Sequence, residues 1–381
     1  MITLMTQKTG CKFWLPPLLL SCALAHAEPA TCPAPVRMQP QNQNEAHAVL
    51  RFTGDLVLGN AHVVDNIPKE WETLYFSEVE DYLRSADASI GNLEGAMTDF
   101  NQSSKPSIPG RSYVFRFPPS YASLLKRTGF QAMHVANNHS NDFGDRGLAD
   151  TLTHLNQAQI TPIGIKGDIS FITVKDIKIG LVGFGYYPRN NMIQDLATVS
   201  ELIAKAREQS QYVIATFHGG GEGDPFVFHP NRDEIFLNEN RGNSVAFART
   251  AIDSGADLVV GHGPHVLRSL ECFKGKPIFY SLGNFISVGG LSIQRMASLT
   301  AIGGVQLNDQ AQLIGIEFLP LVFTDRKVPK VDERDYASHL VNRLAQDALY
   351  SGDFLKVPAK PESLASFDSW FNSLIKAPPK P

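Results

Sequence analysis

The sequence lacks any block of five or six consecutive lysine and arginine residues, and its formal net charge is only −4. Binding to a nucleic-acid backbone depends on such positive charge, so we expect no nucleic-acid partner. After the first 30 residues no apolar run is long enough to span a bilayer, so we expect no transmembrane anchor in the mature chain. Hydrophobic residues make up 43% of the 381 residues and charged residues 19%, a balance that favours a folded protein over disorder.

Residues 1–27 are typical of a secretory signal peptide. Lys8 and Lys12 are followed by the mostly apolar stretch Phe13–Ala25, and Ala25-His26-Ala27 places small residues at the positions that a signal peptidase reads. We therefore expect cleavage before Glu28 and export to the periplasm or another extracytoplasmic space.

A lipoprotein signal is the alternative interpretation of this segment. Leu19-Leu20-Ser21-Cys22 approximates the pattern at which an acyl chain is attached to cysteine. The bulky Leu20 and the Ala-x-Ala site that follows favour ordinary cleavage over acylation of Cys22.

Cysteine is scarce, and only Cys32 and Cys272 lie beyond the signal. In an exported protein two cysteines can form a disulfide, which would tie the N-terminal arm to the body of the protein. Two unrelated thiols are the alternative, because the sequence does not show whether the residues approach within bonding geometry.

Four regions are predicted along the chain. The signal is followed by an extended linker, residues 28–47, which is rich in Pro, Gln and Asn. Residues 48–324 form the main domain, in which short β-rich apolar runs alternate with amphipathic helical stretches. This alternation predicts βαβ units and a largely parallel sheet covered by helices. Residues 325–381 form a C-terminal extension with a helix near Tyr336–Leu349.

Several elements of the main domain can be assigned. The predicted helices are Glu70–Ser85, Ser120–Thr128, Arg146–Gln157, Val199–Gln209 and Ser244–Ser254. The predicted strands are Val49–Phe52, Ser89–Gly91, Ala132–Val135, Ile179–Gly183, Tyr212–Phe217, Leu258–Val260 and Ile278–Ser281, with antiparallel additions at Leu299–Gln306 and Leu313–Pro320.

Polar side chains able to bind metal follow several of these strands. Ligands of open α/β sheets bind beyond the carboxyl ends of strands, so clusters that are distant in sequence can converge there. The candidates are Asp55 in Thr53-Gly54-Asp55, Asn92 and Glu94 in residues 91–95, Asn138, His139 and Asp142 in residues 136–144, His218 and Glu222 in residues 217–224, and His262 and His265 in residues 259–266.

Each cluster also has a purely structural explanation. Gly-Asp is an ordinary turn, Asn and Asp favour helix caps, and a lone buried histidine is most often structural. A cap uses one such residue, however, whereas residues 138–142 contain four. Two histidines three positions apart in a Gly/Pro turn likewise favour a ligand role.

The candidates together provide a mixed ligand set of carboxylate, amide and imidazole groups: Asp55, Glu94, Asn138, His218, His262 and His265. Such a set suits a divalent Mn, Zn or Fe ion better than calcium. One or two ions are expected. Two ions about 3.5–4 Å apart would share one carboxylate and clamp the attacking and leaving oxygens of a displacement, with Glu94 as the candidate bridge.

The chain resembles the bacterial CapA family, the poly-γ-glutamate capsule synthesis proteins also called PgsA. Six motifs occur in the family's order: GD (54–55), GNLEG (91–95), ANNHSNDFG (136–144), HGGGE (218–222), GHGPHV (261–266) and YSLGNF (280–285). The resemblance covers about residues 49–321. It implies an α/β fold, the four-layer α/β/β/α sandwich of the metallophosphoesterase type around a dinuclear metal centre, here with a small C-terminal helical extension.

The resemblance also implies roles for single residues. Asp55 resembles the first-motif aspartate, and Glu94 lies where a bridging carboxylate is expected. Asn138 and His139 resemble the pair in which Asn binds a metal and His protonates a leaving group. The remaining metal ligands correspond to His218, His262 and His265, and the catalytic candidates are His139, Asp142 and Glu222.

Two departures from the phosphoesterase pattern concern the second metal. Phosphoesterases usually carry a histidine two residues after the first aspartate, where this chain has Val57. Gly263 and Pro264 separate the closing histidines, where one residue is usual. Fewer ligands at one site would leave a single metal, or a second one held weakly.

Four residues are candidates for substrate contact: Asn92, Arg232, Arg241 and Asn284. Residues 223–241 differ from the usual family sequence and are predicted to form a substrate loop, whose two arginines could bind carboxylates. Simple solvation of both arginines is the alternative.

Three functions follow as hypotheses. The first is an exported, metal-dependent protein of poly-γ-glutamate synthesis or export, with an anionic polymer or small anionic substrate and membrane synthesis components as partners. The mild negative charge of the chain does not favour binding of an anion, so local arginines or the metal would provide the positive charge.

The second is a periplasmic metallophosphoesterase or amide hydrolase with an unrelated substrate, in which His139 is the general acid and a metal ion lowers the pKa of water. The third is a non-catalytic assembly factor.

Overall fold

The computed structural model describes residues 31–40, 46–61, 67, 70–106, 113–288 and 290–376. The predicted signal peptide, residues 1–27, and the alternative acylation site Cys22 lie outside the described residues. Among the helices of the described ranges, none is long and apolar enough to cross a membrane.

In chain order the strands are β1 (Pro35–Arg37), β2 (Ala48–Val57), β3 (Ala88–Leu93), β4 (Ala96–Met97), β5 (Arg116–Phe117), β6 (Phe130–His134), β7 (Thr161–Ile163), β8 (Ser170–Val174), β9 (Ile177–Phe184), β10 (Tyr212–His218), β11 (Ile235–Phe236), β12 (Glu239–Asn240), β13 (Leu258–His262), β14 (Leu270–Phe273), β15 (Lys276–Phe279), β16 (Asn284–Ser287), β17 (Leu299–Leu307), β18 (Leu313–Phe323), β19 (Pro329–Val331) and β20 (Asp353–Leu355). The α-helices are α1 (Trp71–Leu74), α2 (Glu80–Arg84), α3 (Tyr121–Arg127), α4 (Gly144–Gln157), α5 (Leu196–Gln209), α6 (Ser244–Asp253), α7 (Tyr336–Gln346) and α8 (Leu364–Lys376).

Two large sheets organise the molecule. The first has the order β1-β18-β17-β2-β3-β6-β7, with β16 beside β2 and β19 beside β18. The second has the order β20-β14-β15-β13-β10-β9-β8. The central strands of each sheet are parallel: β2-β3-β6-β7 in the first and β15-β13-β10-β9 in the second. The later strand β17 pairs antiparallel with both β2 and β18, as predicted.

The sheets face each other across an apolar core, and helices cover their outer faces. Strands buried on both faces have near-continuous apolar sequences, as in β10, because both surfaces must exclude water. The core between the sheets includes Leu50, Ile90, Ile179, Ile214 and Leu258. A second apolar cluster, which includes Leu125 of α3 and Leu155 of α4, lies between these helices and the first sheet. A third, which includes Ile203 of α5 and Phe247 of α6, lies between these helices and the second sheet. The predicted four-layer α/β/β/α sandwich is thereby confirmed.

The C-terminal region is part of this core. Leu340 of α7 and Phe367 and Phe371 of α8 belong to the apolar cluster between the sheets, and β20 pairs with β14. The helical extension predicted over residues 325–381 is therefore packed onto the main body.

The N-terminal arm also docks onto the body. Part of the segment predicted as an extended linker, residues 28–47, forms β1, which pairs in parallel with β18. The edge of the first sheet offers unpaired backbone groups, and hydrogen bonding to them orders the arm. Cys32 and Cys272 form a disulfide with a Cα–Cα distance of 5.9 Å, so the bridge that the sequence left open is present.

We expect Cys32→Ser to lower the free energy of unfolding by about 2–5 kcal/mol under oxidising conditions, because the bridge restricts a long loop of the unfolded chain. Urea denaturation with and without reductant measures the effect. Reduced wild-type protein is the control and should match the variant. Equal stability of variant and oxidised wild type would contradict the bridge.

Candidate metal centre

The predicted ligands lie where the carboxyl ends of four parallel strands meet between the two sheets. Asp55 lies near the end of β2, opposite Asn92 of the neighbouring β3. His218 and His262 end β10 and β13 and are register partners in the second sheet. Parallel pairing aligns these groups within each sheet, and the packing of the two sheets brings residues more than a hundred positions apart, such as Asn92 and His218, to one rim.

Glu94 lies at the centre of this group. Its Oε1 atom is 3.6 Å from Nε2 of His265, 3.9 Å from Nε2 of His218 and 4.0 Å from Nε2 of His139. The side chain is fully buried, and in the described part of the chain neither carboxylate oxygen has a hydrogen-bond partner. Burial raises the pKa of Glu94 well above its ordinary value. A bound cation would satisfy such a carboxylate in its ionised form.

Asp55 is held by several donors. Its carboxylate accepts hydrogen bonds from Nδ2 of Asn92 at 2.8 Å and from the amide of Gly263 at 3.2 Å. The Nδ1 atoms of His265 and His262 lie 3.0 and 3.4 Å from it. Burial alone would raise the pKa of Asp55, but the contacts with these imidazoles hold it well below its ordinary value. Asp55 therefore carries a negative charge.

The imidazoles differ in their protonation. Burial lowers the pKa of His218 well below its ordinary value, and its Nε2 atom has no partner among the described residues. Burial opposes a charge on His265 as well, but Glu94, Asp55 and Glu222 overcome it and raise the pKa of His265 to about 10. In the absence of a metal, a proton on His265 thus supplies positive charge beside the ionised Asp55.

This set of residues fits a divalent metal ion. One ligand atom from each of Asp55, Glu94 and His218 lies within 4.8 Å of the other two. The Oδ1 atom of Asn138 is also buried without a partner in the described residues. Carboxylate, amide and imidazole ligands match borderline ions better than calcium.

His139 belongs to a second arrangement beside the predicted metal ligands. Its Nδ1 atom is 2.8 Å from Oδ2 of Asp142, whose Oδ1 is 2.5 Å from Nζ of Lys105. The amide of Phe115 donates to Asp142 at 2.8 Å, and the Phe115 ring lies 4.2 Å from the His139 ring. Burial lowers the pKa of His139, and Asp142 partly opposes this. The Nε2 atom of His139 faces Glu94, where a proton could be delivered.

Glu222 and Arg241 form an ion pair beside His265. Oε2 of Glu222 is 3.9 Å from Nε2 of His265, and Oε1 accepts from Nη1 of Arg241 at 2.8 Å. Arg241 is buried, pairs also with Glu239 at 2.9 Å, and stacks over the Tyr186 ring at 4.4 Å. Its charge is thus balanced by two carboxylates.

The other predicted substrate residues take different places. Asn92 lies behind the ligands, where Nδ2 contacts Asp55 and lies 3.3 Å from Nδ1 of His218. Oδ1 of Asn284 is 3.0 Å from Nδ1 of His265. Both asparagines therefore contact predicted metal ligands. Arg232 is exposed, and no contact joins it to this group in the described part of the chain.

Three further residues at the site escaped sequence reasoning. Lys105 lies in a stretch without periodicity, and its ion pair with Asp142 depends on tertiary packing. Asn137 donates to Oδ1 of Asn92 at 2.9 Å, and its place inside the ANNH motif was an available signal. His134 joins the two sheets beneath the ligands, with Nδ1 2.8 Å from Oγ1 of Thr216. Burial lowers the pKa of His134 to about 3, so it is neutral.

Comparison with known proteins gives a consistent set of relatives. The family model of the bacterial capsule synthesis protein PGA_cap matches residues 49–288. The PGA biosynthesis protein CapA of Bacillus subtilis is 28% identical over 268 residues, which are 65% of this chain and 65% of that protein. The capsule biosynthesis protein CapA of Bacillus anthracis is 26% identical, over 66% of this chain and 62% of that protein. A probable polyglutamine synthesis accessory protein of Mycobacterium tuberculosis is 25% identical, over 66% of this chain and 70% of that protein. The chain thus spans slightly less than two thirds of the two Bacillus relatives.

Solved structures show weaker similarity. A 5′-nucleotidase precursor from Thermus thermophilus has a TM-score of 0.39 and 12% identity, over 78% of this chain and 58% of that one. GAP50 of Plasmodium, described as the anchor in the inner membrane complex, has a TM-score of 0.36 and 10% identity, over 88% of this chain and 98% of that one. Similarity at this level carries no inference about activity.

Proposed function

Because the chain belongs to the bacterial capsule synthesis protein family PGA_cap, we propose that it is a metal-dependent protein acting in poly-γ-glutamate synthesis or export. The names of the two Bacillus relatives, a PGA biosynthesis protein and a capsule biosynthesis protein, support this role. Export to the periplasm, after cleavage of residues 1–27, and contact with membrane synthesis components belong to the same proposal.

The observation that carries the metal dependence is the buried carboxylate of Glu94, which has no hydrogen-bond partner among the described residues and faces the imidazoles of His139, His218 and His265. We propose six ligands for one or two Mn, Zn or Fe ions: Asp55, Glu94, Asn138, His218, His262 and His265. Such an ion, when bound, supplies positive charge for an anionic group and lowers the pKa of water.

The surrounding side chains supply the remaining chemistry. In the proposal His139 protonates the leaving group, Asp142 orients His139, and Glu222 is the further acid–base candidate beside His265. Arg241 fixes Glu222 through their ion pair. Lys105 is 41% exposed in its side chain and offers positive charge to an anionic substrate at the side of His139.

A second candidate function is hydrolysis of a phosphoester or amide unrelated to capsule. The arrangement of His139, Asp142 and Lys105 favours it, because a histidine oriented by a carboxylate is the usual donor to a leaving group. The fold by itself does not decide between substrates, since function depends on the site.

The test uses the purified mature protein loaded with Mn²⁺, and compares its action on poly-γ-glutamate and on a generic phosphodiester. The proposed function predicts metal-dependent change in polymer length, lost in His218→Ala. Turnover of the phosphodiester alone would favour the second candidate. Metal-independent binding of the polymer, equal in His218→Ala and wild type, would instead indicate an assembly factor. In a capsule-forming host, complementation with His218→Ala should fail to restore the polymer.

A further inference from the structure

A buried ion pair lies beneath the glycine-rich loop that follows His218. Nη1 and Nη2 of Arg268 donate to the two carboxylate oxygens of Glu234 at 2.9 and 2.7 Å. The side chains are 0% and 2% exposed. Neither residue belongs to the motifs that resemble a known family, and neither contributes an atom to the metal cluster.

The pair is bonded directly to the backbone of the loop Gly219–Gly223. The amide of Gly221 donates to Oε1 of Glu234 at 3.3 Å, and Nη2 of Arg268 donates to the carbonyl of Gly221 at 3.3 Å. A Cβ atom at Gly220 would lie 2.8 Å from Nη1 of Arg268. The loop backbone therefore lies against the two charged side chains with no room for a side chain between them.

The same loop is tied to the segment that carries the closing histidines. The amide of Gly219 donates to the carbonyl of His262 and that of Gly223 to the carbonyl of Pro264, both at 2.9 Å. The loop joins His218 to Glu222, and Arg268 follows His265 by three residues. The ion pair thus lies where two ligand-bearing segments meet.

We propose that Glu234 and Arg268 are positioning residues of the metal centre, which hold the loop so that His218 faces Glu94 and Glu222 faces His265. The inference rests on the proposed metal-dependent function. A buried ion pair is often no more stabilising than apolar residues of the same volume, so overall stability does not account for its place here. Groups that orient metal ligands typically change metal affinity or activity about 10–100-fold when they are replaced.

The test is the double variant Glu234→Leu/Arg268→Met, compared with the matched double variant Arg51→Met/Glu317→Leu. Arg51 and Glu317 form an equally buried ion pair, with an Nε–Oε2 distance of 3.4 Å, that contacts none of the described ligands. Calorimetric titration of chelator-stripped protein with Mn²⁺ measures affinity. Hydrogen exchange of peptides covering residues 212–226 measures the order of the loop without metal.

We expect about 10–100-fold weaker Mn²⁺ binding and faster exchange confined to residues 219–223 for the first double variant. The matched variant should retain the wild-type Kd. Unchanged affinity in the first variant, or equal weakening in both, would overturn the inference. If the first variant does not fold, Arg268→Lys, which keeps the charge but loses the planar fork, is judged by the same criteria.

Failure of the proposed function has a separate signature. If wild-type protein binds no Mn²⁺, the metal-dependent function is wrong, and the exchange measurement still decides the positioning of the loop. Faster exchange confined to residues 219–223 would then support the role of the ion pair, and wild-type exchange rates would overturn it.

Discussion

Replacing Glu94 with glutamine is expected to abolish metal binding and, at neutral pH, to stabilise the metal-free protein. Glutamine keeps the size of the side chain but cannot ionise to bind a cation beside His218 and His265. Wild-type protein should gain about 2.7 kcal/mol in unfolding free energy at a metal concentration about 100 times the Kd. Glu94→Gln should gain nothing. Elemental analysis and denaturation with and without Mn²⁺ measure the two effects.

The stabilisation of the metal-free variant follows from the environment of the carboxylate. Burial raises the pKa of Glu94, so the unfolded chain releases this proton at lower pH than the folded chain does. The stability of the metal-free wild type therefore falls as pH rises above the ordinary carboxyl pKa of about 4.3. We expect Glu94→Gln to exceed it by about 1.4 kcal/mol or more at neutral pH, the free-energy equivalent of one pKa unit, because the amide does not ionise, and by less toward a pH of about 4.

Glu222→Gln provides a matched control at the same site, because Glu222 is already paired with Arg241. It should lower the stability of the metal-free protein, because the buried Arg241 loses one of its two carboxylate partners, whereas Glu94→Gln should raise it. A Glu94→Gln protein that retains bound metal, or that is less stable than wild type when both are stripped of metal, would contradict a metal-binding role for this carboxylate.

The predicted site residues illustrate what a sequence can reveal. Asp55, Glu94, His218 and His262 were found because each stands at or directly after the end of a strand, and parallel register then brings them together. Asn284 and Asn92 have the same sequence signal but lie behind the ligands. Whether a polar residue is itself a candidate ligand or supports one depends on tertiary packing, which local sequence does not encode.

The helix predicted over residues 70–85 was wrong as a single element. The structure has two short helices, α1 and α2, separated by a turn. Tyr75, Phe76 and Val79 are all buried, and the Tyr75 hydroxyl donates to the carbonyl of Leu58 at 2.9 Å. Neighbouring residues of a straight helix point about 100° apart, so burying both aromatic rings favours a break. Here tertiary contacts outweigh helical periodicity.

Replacing His139 with alanine is expected to lower turnover by about 10²–10⁴-fold while most of the bound metal remains. The imidazole is held by Asp142 and packed against Phe115, with Nε2 directed toward Glu94. Its loss removes a proton donor but leaves Asp55, Glu94 and His218 within 4.8 Å of one another. Steady-state kinetics and elemental analysis of the same preparation separate the two consequences.

The leaving group of the substrate provides the sharper measurement. A nitrophenolate departs without protonation, whereas an alkoxide or amine requires a proton in the transition state. His139→Ala should therefore lose far more activity on a substrate with a poor leaving group than on a nitrophenyl ester. Asp142→Asn should show the same selectivity in weaker form, since it disturbs the orientation of the imidazole, and His154→Ala on α4 should match wild type. Equal losses on both substrates would mean that His139 contributes to binding and does not protonate the leaving group.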